Sequence, residues 1–171
     1  MGARHYGEQV SQLDHALQCA HLAVQDRAPD SLVIAALLHD VGHMLDSESA
    51  GDEPTIDDRH EVTGSAGLAA LFGPEVVQPI ALHVAAKRYL CAKEPAYLDR
   101  LSEASRHSLA LQGGPFMPAQ VHRFESLPHW ADAVRLRRYD DTGKKTGEII
   151  PPLATYIELM EGLTRHGRSA A

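Results

Sequence analysis

Asp30-Ser31-Leu32-Val33-Ile34-Ala35-Ala36-Leu37-Leu38-His39-Asp40 is the stretch on which the fold turns. Asp30 and Ser31 are good helix caps. The run from Leu32 to Leu38 is apolar nearly all round, which predicts a helix buried at the centre of a bundle. It is far shorter than the roughly 20 residues needed to cross a bilayer. His39 and Asp40 therefore fall at the end of the most buried helix. An ionised Asp there is costly unless it is paired or binds a metal. A satisfied His–Asp pair is the simpler reading of the dipeptide alone, so its neighbours decide.

Outward from this helix, nearly every segment reads as helical. Ser11 to Gln25 carries Leu13, Leu17, Ala20 and Val24 at helical spacing. Asp46 to Asp58 is a polar, acidic loop. A helix is predicted over Arg59 to Phe72, stopped by Gly73-Pro74. Another opens at Pro79, since Pro suits the first helical position, and runs through His83 and Lys87 to Leu90. Others span Pro95 to Leu111, ended by Gly113-Gly114-Pro115, and Pro128 to Arg138, ended by Asp140-Asp141-Thr142-Gly143. Glu148-Ile149-Ile150 could be a short extended piece. The last helix begins at Pro151-Pro152, with Leu153, Tyr156, Ile157, Met160 and Leu163 as its stripe, and Gly167 ends it. With no repeat or linker, residues 1–171 read as one all-α domain.

The 171 residues carry 16 Lys+Arg against 23 Asp+Glu, a formal charge of −7. That balance argues against a nucleic-acid binder, which needs a basic stripe. It leaves room for a small anionic substrate in a locally basic pocket. The start, Met1-Gly2-Ala3-Arg4-His5-Tyr6, has no apolar signal region and lacks the Ser or Thr of a myristoylation signal. Cys19 and Cys91 form no CxxC and read as reduced, packed thiols, which suggests a cytoplasmic protein.

Eleven histidines are unusual for this length. His107, His122, His129 and His166 sit in polar surroundings with no partner pattern. His15, His39, His60 and His83, by contrast, fall one to each consecutive helix, the layout by which bundles build internal metal sites. Asp40 and Asp140 add two carboxylates. Six such ligands exceed one zinc site and suffice for two first-row metals. The carboxylates shift the balance toward iron or manganese. His43, at i+4 from His39, reads as a residue near the substrate. Lys87, one turn after His83, shares its helical face.

These residues carry a resemblance. His15, His39-Asp40 and Asp140 reproduce the H…HD…D pattern of the HD-domain superfamily, and His60 and His83 complete its six-ligand version. Gln12 to Ala20, Ala35 to His43, His83 to Leu90, Leu101 to Arg106 and Gln112 to Pro115 make the chain similar to the HD-domain mixed-valent diiron oxygenases that cleave carbon–phosphorus bonds. HD alone is a weak signal; HVAAKRYL with SEASR and QGGP is much more specific. The resemblance implies an HD helical bundle with an Fe(II)/Fe(III) pair and O2 as co-substrate. His15, His39, Asp40 and Asp140 would ligate one iron, and Asp40, His60 and His83 the other. His43, Lys87, Ser105, Gln112 and Arg137 match positions that hold the phosphonate, with Asp40, His43 and Lys87 as the catalytic set. A dianionic phosphonate needs such cations and donors.

Glu8 matches the family acid that meets the substrate's ammonium. Here the sequence reads His5-Tyr6-Gly7-Glu8, where relatives have Tyr-Ile-Gly-Glu. An iron-capping tyrosine is thereby displaced, and Tyr6 places an aromatic face beside the acid. Aromatic faces favour quaternary ammonium. The expected substrate is 1-hydroxy-2-(trimethylamino)ethylphosphonate, giving glycine betaine and phosphate, or glycine if the amine is primary. Three other readings compete: an HD-type metal-dependent phosphohydrolase, a metal-dependent sensor of a small anion, and a relative of myo-inositol oxygenase.

Overall fold

Helices around the buried Asp30–Leu38 segment make up the architecture of the computed structural model, which describes residues 10–42 and 60–165 (for 60–63 the backbone alone). They are α1 (Gln12–Gln25), α2 (Asp30–Leu38), α3 (His60–Leu68), α4 (Pro74–Lys93), α5 (Pro95–Arg100), α6 (Glu103–Leu111), α7 (Pro118–Glu125), α8 (Trp130–Thr142), a 3-10 turn (Leu153–Tyr156) and α9 (Ile157–Leu163). The fold is all-α, and an isolated bridge joins Phe72 and Thr164. No helix among the described residues is long and apolar enough to cross a membrane.

Helix α2 is the predicted centre. Leu32, Val33, Ile34, Ala35 and Ala36 are all essentially sealed from solvent. Its N-cap is Pro29, with no side-chain cap, so Asp30 and Ser31 lie inside the first turn. Ser11 caps α1, accepting from the Asp14 N–H at 3.1 Å. The α1 stripe is rotated from the predicted one. Leu13 and Val24 face solvent, while His15, Gln18 and Cys19 join Leu17 and Ala20 inside. Three buried polar positions on one helix displaced the apolar stripe, a sign that the helix faces a site.

Four boundaries differ from expectation. Helix α3 ends at Leu68, and Gly73 caps the next helix instead of stopping this one. Helix α4 starts at Pro74, so Pro79 lies inside it, where it removes one helical N–H. The expected Pro95–Leu111 helix is broken at Leu101, because Ser102 caps α6 by accepting from the Ser105 N–H at 3.2 Å. Helix α8 continues through Thr142, so Asp140 lies in its last turn, and Gly143 is the C-cap. Helix α7 was not anticipated, and the segment Glu148–Ile150 forms no strand.

The core has two parts. One packs α1, α2, the start of α4, Leu136 and Tyr139 of α8, and Tyr156. The other is aromatic and packs the end of α4 against α5, α6, α7 and the start of α8, with Tyr89, Phe124 and Trp130 in mutual ring contact. Helix α4 runs through both. His83 and Lys87 sit on it where the two parts meet.

Candidate functional site

Three imidazoles converge on one point. The His15 and His39 ring centroids are 5.1 Å apart, and those of His39 and His83 are 5.5 Å apart. All three residues are 2% exposed or less. Each ring turns its Nδ1 to a main-chain carbonyl: His15 to Gly143 at 2.8 Å, His39 to Ala36 at 2.9 Å, and His83 to Ile80 at 2.7 Å. A carbonyl oxygen only accepts, so Nδ1 is the donor in each ring and Nε2 carries the lone pair. This is the arrangement that orients metal-binding histidines.

The two carboxylates lie beside those lone pairs. His15 Nε2 is 3.4 Å from Asp140 Oδ1 and 3.7 Å from Asp40 Oδ2, and His39 Nε2 is 3.4 Å from Asp40 Oδ2. His39 Nε2 is fully buried and makes no hydrogen bond. Donors each about 2.1 Å from one ion lie roughly 3–4 Å apart at ordinary ligand angles. The spacing, the acceptor character of the donors and the orphaned buried nitrogen all fit a first-row metal ion.

Helix α3 reaches the same region through its backbone. A Cβ at Gly64 would come within 3.0 Å of the Gly42 nitrogen, so the glycine permits a close approach to the chain just past Asp40. His60 lies one turn before Gly64 on α3. Its side chain is outside the described residues, as are His43, Tyr6, Glu8 and His5, together with the Asp46–Asp58 loop and Gly167.

Cys19 joins His15 and His39 in a cluster of possible donor atoms within 4.8 Å of one another. Its Sγ is 3.8 Å from both nitrogens of the His15 ring. Being equidistant from the two, it does not lie along the Nε2 lone pair. It also fills the space beside Gly143, where a Cβ would meet Sγ at 2.8 Å. Burial pushes its thiol pKa up, keeping it protonated. Cys19 and Cys91 are both free and buried.

Gln18 supports His15 indirectly. Its side chain donates to the Lys145 carbonyl at 2.8 Å and accepts from the Lys145 N–H at 2.9 Å. That pair clamps the segment carrying the Gly143 carbonyl against α1.

Beyond the imidazoles lie two buried cations. Lys87 is 3% exposed and donates to Ser108 Oγ at 2.8 Å. Burial, reinforced by the Arg137 charge, lowers its pKa to about 8. Ser108 in turn donates to the Ser105 carbonyl at 3.1 Å. Ser105, Ser108 and the C-cap Gln112 follow one another along one face of α6. The segments that carry the family resemblance meet here. Arg88, next to Lys87, donates from Nε to the Gly114 carbonyl at 2.8 Å and lies 4.7 Å over the Phe116 ring. Gly113 and Gly114 hold φ values of 90° and 71°, which side chains rarely adopt, so this turn needs its glycines.

Arg137 is 5% exposed and fully engaged. Its Nη1 lies 2.7 Å from Asp140 Oδ2, its Nη2 pairs with Asp141 Oδ1, and its Nε donates to the Tyr97 hydroxyl at 3.2 Å. Tyr97 donates to the other oxygen of Asp141. Burial alone would raise the Asp140 pKa, but Arg137, His15 and Lys144 hold its carboxyl well below the usual range. Burial also opposes charge on His15, while the Asp140 carboxylate beside its Nε2 raises that pKa. A metal ion on Nε2 competes with that proton.

The described residues thus bring together His15, His39, Asp40, His83 and Asp140, with Lys87 and Arg137 beside them. Ser108, Tyr97 and Asp141 are additions to the set expected from sequence. Ser108 had a signal, lying three residues after Ser105 on the same helical face. Tyr97 had none, since its partners are 40 and 44 positions away.

Comparison with known proteins adds chemistry to this geometry. The HD domain family matches residues 12–109. The chain is 44% identical over 167 residues to a hydroxymethylphosphonate dioxygenase of Gimesia maris, covering 96% of this chain and 83% of that one. It is 41% identical over 146 residues to the glycine-betaine-forming [1-hydroxy-2-(trimethylamino)ethyl]phosphonate dioxygenase of Leisingera caerulea, covering 85% and 74%. It is also 35% identical over 164 residues to the uncharacterized protein L432 of Acanthamoeba polyphaga mimivirus.

Proposed function

Because this chain belongs to the HD-domain phosphonate dioxygenases, we propose that it uses O2 to break the C–P bond of a 1-hydroxyalkylphosphonate. The observation that carries this reading is the pairing of three buried imidazoles, lone pairs inward, with the buried ammonium of Lys87 one helical turn from His83. A hydrolase reading accounts for the imidazoles, but the names of the relatives favour oxidation. Both named substrates carry a hydroxyl on the carbon bonded to phosphorus. Of the two, we favour the trimethylamino compound, because Tyr6 and Glu8 together suit a quaternary ammonium. Hydroxymethylphosphonate is the second reading, favoured by the more extensive match to its dioxygenase.

Two iron ions, one held by His15, His39, Asp40 and Asp140 and the other by Asp40, His60 and His83, would supply the redox chemistry with O2. The Nδ1–carbonyl hydrogen bonds keep each imidazole in the ligating tautomer. Lys87, with Ser105, Ser108 and Gln112 on α6, would hold the phosphonate oxygens by charge-assisted hydrogen bonds. Arg137 adds positive charge on the Asp140 side. His43 would complete the phosphonate contacts, and Glu8 with Tyr6 would meet the amine. Fixing the phosphonate at one end would hold the substrate in a single orientation in the site. Overall, the substrate and one O2 yield a carboxylate and phosphate. The trimethylamino substrate gives glycine betaine, and a primary amine gives glycine.

The test is anaerobic loading of the full chain with iron, an O2 pulse, and measurement of phosphate from both named substrates and the primary amine. Phosphate from at least one, dependent on O2, is the expected result. No phosphate from any of the three, with anaerobic hydrolysis of a phosphoester, would overturn the proposal for a phosphohydrolase.

A further inference from the structure

Arg137 and Asp140 pose a geometric problem. A guanidinium beside a carboxylate tends to grip both oxygens at once through two parallel N–H bonds. Such a grip would occupy the oxygen that faces His15. The structure has a different contact. Arg137 Nη1 meets only Asp140 Oδ2, at 2.7 Å, while Oδ1 faces His15 Nε2 at 3.4 Å, with Lys144 Nζ 3.8 Å away. Nη2, the second arm of the fork, is taken by Asp141, and Nε by Tyr97. Tyr97 also pins Asp141 through its hydroxyl proton.

We infer that Asp141 and Tyr97 are positioning residues for Asp140: by engaging Nη2 and Nε of Arg137, they confine its hold on Asp140 to one oxygen and leave Oδ1 for the metal. This rests on the reading of Asp140 as a ligand. Neither residue needs to touch the metal or the substrate for this.

The measurement is retention of Fe(II) by the full chain, read anaerobically as iron lost to a ferrous chelator. Asp141→Asn should weaken retention by about 10-fold, the lower end of the 10–100-fold typical for residues behind a ligand. Tyr97→Phe should act in the same direction and less. The decisive comparison is the Arg137→Lys background, because a lysine cannot make the two-armed grip. There, Asp141→Asn should leave retention unchanged. Equal losses in both backgrounds, or wild-type retention in both single variants, overturn the inference. Retained iron without phosphonate turnover in the wild type sinks the proposed function and leaves this inference standing. A wild type that holds no iron sinks both.

Discussion

His15, His39 and His83 are each aimed by a main-chain carbonyl, whereas Lys87 and Arg137 are gripped by other side chains. A carbonyl is present whatever residue supplies it, so substitution leaves the aim of an imidazole largely intact. The cations depend on the identities of Ser108, Tyr97, Asp140 and Asp141. The imidazole side is therefore robust to changes around it. The cationic side is tunable, and substrate preference within the family should drift there first.

The largest effect should come from breaking the imidazole side at its most buried member. His39→Ala removes a donor, and the metal loss should exceed the roughly 100-fold upper range of changes behind a ligand; metal content after dialysis reads this directly. Next is Arg137→Met. It leaves the buried Asp140 and the half-buried Asp141 without the Arg137 cation, and breaking a buried pair typically costs about 3–5 kcal/mol. Thermal unfolding should show a large fall in Tm.

Lys87 sharpens the comparison, because stability and function should part there. Lys87→Met should weaken phosphonate affinity by about 2–5 kcal/mol and leave iron content unchanged. Its folded pKa of about 8 lies below its unfolded value, so charge on Lys87 opposes folding below pH 8. The penalty is relieved as pH rises through 8 toward the unfolded value. Lys87→Met should accordingly raise Tm at pH 7, with the gain shrinking above pH 8. In wild type, kcat/KM should fall above about pH 8 as Lys87 loses its proton, and Lys87→Arg should move that limb upward. The smallest effect is Ser108→Ala, which removes one hydrogen bond to Lys87 and should cost about 1 kcal/mol in substrate affinity.

The imidazoles were legible because each belongs to its own helix or, for His39, caps its end, and helical periodicity is a local property. Asp40 was legible because a carboxylate beside α2 needs a reason to be there. The boundaries of α4 and α6 were harder. Pro79 has the residue type of a helix start, yet Gly73-Pro74 supplied the real one, and Ser102 competed for the backbone inside an expected helix. Helix α7 lacked a signal, since its buried side consists only of Val121 and Phe124. Tyr97 was invisible for a different reason. Its partnership with Arg137 and Asp141 exists only once α5 packs against α8, and no local pattern encodes that. Asp141 had a local signal, standing four residues after Arg137 on the same helix. The rotation of the α1 stripe has the same origin as the Tyr97 partnership: His15, Gln18 and Cys19 are drawn inward by partners near residues 143–145.

The carbonyls that aim the three rings differ in how far away they arise. Those for His39 and His83 come from three residues upstream on the same chain segment, so these rings are set as soon as their helices form. The one for His15 comes from Gly143, 128 positions later. During synthesis, His15 thus waits for nearly the whole described chain before its ring is fixed. A truncated or stalled product lacking the segment around Gly143 would have two imidazoles ready and the third unaimed. Metal capture would then come late in synthesis, reserved for chains that have been made through Gly143.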